Sequence, residues 1–169
     1  MMSDLLMRLA VWLALALFTG AALARRARPA TDRAALALSL VGWALFAGHV
    51  LLAFETHYGW SHAVAWAETA AQTEALTGLN WGGGLYINYL FGLVWLGELV
   101  WWGRDPTGYA TRPALVEVTV RGFLLFMVVN GAVVFVTGPQ RWPGVALAAA
   151  LAWAWRPAAG GQTAPLSRS

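Results

Sequence analysis

The sequence contains no cysteine. That absence excludes disulfides, thiolate metal sites, iron–sulfur clusters, thioether-attached haem and palmitoylation. Lysine is absent too, since all 11 basic residues are arginine. A retinal Schiff base and lysine-based covalent chemistry are therefore impossible. Charge of any sign is scarce: 11% of the 169 residues are charged, whereas a water-soluble domain carries about a quarter. A chain of this size with so few charges cannot coat a soluble surface.

What fills the sequence is apolar. Hydrophobic residues make up 59% of it, and they fall in five runs at 5–24, 34–54, 85–102, 114–137 and 144–155. Crossing the hydrocarbon core takes about 20 helical residues, with about 17 tolerable. The first four runs meet this length and the fifth is short. Trp142 at one end of the fifth run, and Trp153 and Trp155 at the other, suit the two membrane interfaces. Arg141 and Arg156 can snorkel beyond them. The expected fold is all-α, a polytopic membrane helix bundle of about five transmembrane helices plus a short outer interfacial helix. Residues 1–157 are expected to form a single domain and 158–169 a flexible C-terminal tail.

The first run ends in Ala22-Leu23-Ala24, which resembles a signal-peptide cleavage site. Arg25, Arg26 and Arg28 follow directly, as in a retained anchor held by cytoplasmic charge. Loop charges set the expected orientation. The links at 25–33 and 103–113 are arginine-rich, whereas 55–84 contains Glu55, Glu68 and Glu74 and no arginine. The positive-inside bias places the first two links in the cytoplasm and the third outside. The expected location is thus an integral, multi-pass position in a bacterial inner membrane, N-terminus outside and C-terminus cytoplasmic. The arginines serve this topology rather than nucleic acid. The expected partners are the lipid bilayer and either other membrane proteins or further copies of the chain.

Segment 55–84 is the one sizeable extramembrane stretch. Ser61 is an N-cap for a helix running to about Leu76, and Gly78 its C-cap. The glycines at 82–84 permit close backbone approach at the start of the next helix.

All three histidines, His49, His57 and His62, lie within fourteen residues, accompanied by Glu55 and Glu68. Imidazole with carboxylate suits copper, zinc or iron, so these five are the candidate metal ligands. The bland reading of His57 and His62 is that they are solvated loop residues. His49 lies at membrane depth, where an ionisable residue is costly and marks a functional site by default. Its bland alternative is a hydrogen bond to another helix, with Asn88, Tyr89 and Asn130 as buried polar partners at similar depth. Haem would need His49 with a loop histidine, with a ligand such as Met127, or with an open position. No other membrane run contains histidine.

A second polar group lies near the cytoplasmic side. Glu117 and Arg121 stand at the i,i+4 spacing, and Glu98 is level with Arg121 by rise per residue. The three are expected to form an intramembrane ion pair, clamping two helices or marking an ion path. Three functional classes follow: a redox or metal-handling subunit with an outward His/carboxylate site, a non-catalytic accessory subunit, and a small oligomeric transporter.

Overall fold

The computed structural model describes residues 2–27 and 33–156, and every regular element among them is helical. In hydrocarbon no water satisfies backbone N–H and C=O groups, and a helix satisfies them within itself. The elements are α1 (Met2–Ala27), α2 (Arg33–Ala53), α3 (His62–Thr77), α4 (Gly84–Arg104), α5 (Pro106–Ala110), α6 (Ala114–Val129) and α7 (Arg141–Ala154). Two helices end in a π-helical turn, α2 in Phe54–Tyr58 and α6 in Asn130–Val134. A 3₁₀ turn at Gly138–Gln140 leads into α7. The tail at 158–169 lies outside the described residues.

The stretches Met2–Ala27, Arg33–Tyr58, Gly84–Arg104 and Ala114–Val134 are long and apolar enough to cross a membrane. The fifth, α7, has 14 residues and reaches only about 21 Å against a hydrocarbon core of about 30 Å. It packs nonetheless against α1, α6 and the π turn after α6. The run expected at 114–137 ends its helix at Val134, because the backbone is extended at Thr137 and left-handed at Gly138.

α1 and α2 form an antiparallel hairpin, which brings Met7 opposite His49 and Asp4 opposite His57. α4 joins the hairpin through Trp95, 1% exposed. Its ring packs at 4.6 Å from Phe18 and 6.1 Å from Phe46, and its Nε1–H donates to Ser39 Oγ at 3.0 Å. Trp43 on α2 reciprocates by donating to the Gly92 carbonyl on α4 at 2.9 Å. An indole buried in a bundle needs such a partner, and two of them fix α2 against α4 in register.

α3 runs as its caps foretell: Ser61 accepts from Val64 N–H at 3.4 Å, and Gly78 closes the helix in the left-handed region. It lies over one end of the bundle with Ala65 buried beside Phe54 and Leu85. Gly82 permits this approach, since a Cβ there would stand 2.5 Å from the Trp66 carbonyl oxygen. We call this the α3 end and the opposite one the α5 end. Exposed Trp60, Trp66, Trp81 and Trp142 ring the former, and Trp101 and Trp153 the latter. Trp102, next to Trp101, is buried against Tyr109.

Gly144 secures α7. A Cβ at that position would collide with the backbone carbonyl of Ala132 in the π turn. Gly144→Ala should therefore cost about 1–3 kcal/mol by overpacking. Gly97 on α4 has open space around it, so Gly97→Ala should be neutral or slightly stabilising. Thermal melts in detergent check both, and equal melting temperatures for the two variants would contradict the packing.

Candidate functional site: a neutral cavity at the α3 end

Where α2, α3, α4 and α6 meet under the α3 end, they leave a cavity of about 230 Å³. Both π turns contribute to its wall, through Phe54 and Tyr58 on one side and Asn130 and Gly131 on the other. A π turn displaces side chains from helical register and often marks a functional site. The polar lining is His49, Tyr58, Thr69, Gln72, Asn88, Tyr89 and Asn130, with no carboxylate or arginine.

His49 is half-buried, and its Nδ1 stands 2.9 Å from the carbonyl oxygen of Met7. A carbonyl only accepts, so Nδ1 carries the proton and Nε2 is the acceptor of the neutral ring. The sequence expectation aimed His49 at α4 and α6. It shares a cavity with Asn88, Tyr89 and Asn130, but its hydrogen bond runs to α1. Asn130 donates Nδ2–H to the Phe126 carbonyl at 2.8 Å, leaving its amide oxygen without a described partner. The Asn88 side chain makes no hydrogen bond to another described residue. The Tyr89 hydroxyl lies 3.4 Å from His62 Nδ1.

The five candidate metal ligands do not converge. His57 Nε2 lies 3.4 Å from Asp4 Oδ1 on α1, and the His62 ring sits tilted at 5.1 Å from the Phe54 ring. Glu55 accepts from Trp60 Nε1 at 2.6 Å, and Glu68 is exposed on α3. Among the described residues no three of His, Cys, Asp and Glu gather as a metal site. The physical reason is the π turn, which continues α2 past Ala53 and carries His57 towards α1 rather than over the cavity. Haem fares no better. His49 and Met127 both line the cavity, but pockets for drug-sized ligands begin at about 300 Å³, and a porphyrin is larger than those ligands.

The second polar group, at the α5 end, is built differently from the sequence expectation. Arg112, not Arg121, pairs with Glu98: its Nη1 donates to the two carboxylate oxygens at 2.9 and 2.7 Å. Arg121 pairs with Glu117 across one helical turn. Glu98 and Arg121 do line one small cavity at the α5 end, but Arg112 is the cation that reaches the carboxylate there. The short helix α5 supplies the missing partner. Asp105 caps it by accepting from Gly108 N–H at 2.8 Å, with Pro106 in its first turn. This turn folds Tyr109 and Arg112 back under α4. Tyr109 donates to Glu98 at 2.7 Å and accepts from Arg25 at 2.9 Å. The Arg25 guanidinium lies 4.3 Å from the Trp102 ring and 4.5 Å from that of Tyr109. Burial, then the charge of Glu98, pushes the Tyr109 hydroxyl up, outweighing Arg25 and Arg112, so it stays protonated as the donor. Asp105-Pro106 followed by Gly108 was the legible helix-start signal for this element.

The chain matches no family model, no curated protein and no solved structure.

The Glu98–Arg112 pair is buried, with side-chain exposures of 13% and 2%, whereas Arg121 is 26% exposed. Glu98→Gln leaves Arg112 uncompensated and should cost about 3–5 kcal/mol. Arg121→Gln should cost about 1 kcal/mol or less. Adding Arg112→Gln to Glu98→Gln should recover part of the loss. Denaturation in mild detergent checks the order, and a larger effect at Arg121 than at Glu98 would contradict it.

Proposed function

We propose that this protein is a multi-pass membrane protein that holds a compact, uncharged, hydrogen-bonding molecule in the cavity at its α3 end. Its role is binding, as a non-catalytic subunit in the membrane, rather than metal or redox chemistry. The observation that carries this reading is the lining: one imidazole, the side-chain amides of Gln72, Asn88 and Asn130, two tyrosine hydroxyls and no formal charge. Amides offer both donors and acceptors, and neutral His49 adds an acceptor at Nε2. Such a wall rewards a neutral polar ligand. It penalises an ion, which would lose its hydration with no opposite charge to replace it. Phe54, Leu85 and Phe135 supply apolar contact around these groups. The volume, below the range for drug-sized ligands, favours a small molecule.

The orientation belongs to the same proposal. Arg25, Arg26, Arg104, Arg112 and Arg156 gather at the α5 end, while Glu55, Glu68 and Glu74 mark the α3 end. The positive-inside bias then makes the α5 end cytoplasmic and opens the cavity towards the outside.

Two measurements test these statements. Because the chain lacks cysteine, single-cysteine variants can be labelled cleanly. An impermeant maleimide on intact cells should modify Glu74→Cys and leave Asp105→Cys unmodified; the reverse pattern refutes the orientation. For the cavity, solvent extraction of purified protein followed by mass spectrometry should release a neutral small molecule. The double variant Asn88→Ala, Asn130→Ala should lose it. Extracts of the two proteins that do not differ would refute the binding reading.

A further inference from the structure

A second crevice, of about 220 Å³, opens between α1 and the end of α6. Its wall carries one charged residue, Arg8, together with Thr137 and Gln140 as polar groups. Trp12, Leu15 and Phe135 are among its apolar residues. Arg8 follows Met7, the residue that meets His49, so it sits within the stretch of α1 long and apolar enough to span. Its side chain is exposed and has no ion-pair or hydrogen-bond partner among the described residues. Asp4, one turn earlier, lies against His57 instead. The exposed stripe Leu5, Leu9 and Leu13 flanks Arg8 on α1, so the crevice opens onto the acyl region rather than into the bundle.

An uncompensated guanidinium at this depth is costly, and anionic headgroup oxygens are the compensation a bilayer supplies. A phosphodiester fits the wall in three respects. It is a monoanion matching the single charge. Its oxygens accept two parallel hydrogen bonds from the planar guanidinium. The Thr137 hydroxyl and Gln140 amide can donate to the oxygens that remain. The apolar residues then receive the first part of an acyl chain. We propose that this crevice is a binding site for the phosphodiester of one phospholipid in the leaflet at the α3 end. This site is separate from the neutral cavity and does not depend on its ligand.

The test is native mass spectrometry of the full chain, exchanged extensively into detergent and then titrated with phosphatidylglycerol. Wild type should retain one phospholipid per chain after weaker lipids are stripped. Arg8→Gln should weaken that retention about tenfold, the scale of a lost hydrogen bond to a charged group. Arg8→Lys should fall between, since it keeps the charge without the planar fork. Arg104→Gln, an exposed arginine at the other end, should match wild type. A melting curve accompanies each variant, so that lipid loss is read only from folded protein. Equal retention by wild type and Arg8→Gln overturns the proposal. Displacement of the lipid by millimolar inorganic phosphate also overturns it, by showing a free-anion site.

Discussion

The bundle depends on how Trp95 is buried. Its ring sits where α1, α2 and α4 come together, against Phe18, Phe46 and Phe91, and its one polar atom is answered by Ser39. Between apolar helices in lipid the hydrophobic effect supplies little attraction, so close packing and interhelical hydrogen bonds must hold the contact. Trp95 provides both. With Trp43 bonded to the Gly92 carbonyl in the opposite sense, α2 can neither slide along α4 nor rotate against it. The position of His49 relative to Asn88 follows from this register, and with it the shape of the cavity at the α3 end.

The two ends handle polarity in opposite ways. At the α5 end charge is concentrated and neutralised locally: Glu98 with Arg112, Glu117 with Arg121, and Arg25 laid against aromatic faces. Tyr109 bridges Arg25 to Glu98 and so ties α1, α4 and α5 together. At the α3 end Glu55, Asp4 and two histidines are engaged at the surface, and the space beneath them is neutral. The buried charges thus read as fastening and the neutral cavity as the place left for a ligand. Gly131 and Phe135 line both the neutral cavity and the Arg8 crevice, so the π turn after α6 shapes the two spaces at once.

The runs long and apolar enough to cross a membrane, the helical class and the caps of α3 were legible because each rests on local composition or spacing. Ser61 and Gly78 cap α3 through their immediate sequence neighbours. His49 was singled out by depth alone, and it does line a cavity with Asn88, Tyr89 and Asn130. What sequence could not supply was the folding back of α5. Glu98 and Arg121 do line one small cavity, but Arg112 takes Glu98 because α5 turns the chain back. Nor do the apolar patterns around Phe54 and Asn130 announce π turns, and these decide where His57 goes and where the cavity opens. Arg8 interrupts the first apolar run, but that it meets no partner among the described residues appears only in three dimensions.

The central claim is that the α3-end cavity is a ligand site and not a packing defect. A high-resolution structure of the protein in lipid nanodiscs, purified without ligand addition, tests it most directly. The account predicts non-protein density in the cavity, within hydrogen-bond distance of the Asn88 amide and of His49 Nε2. A cavity collapsed so that Asn88 bonds directly to Asn130 or His49, with no space between them, would contradict it.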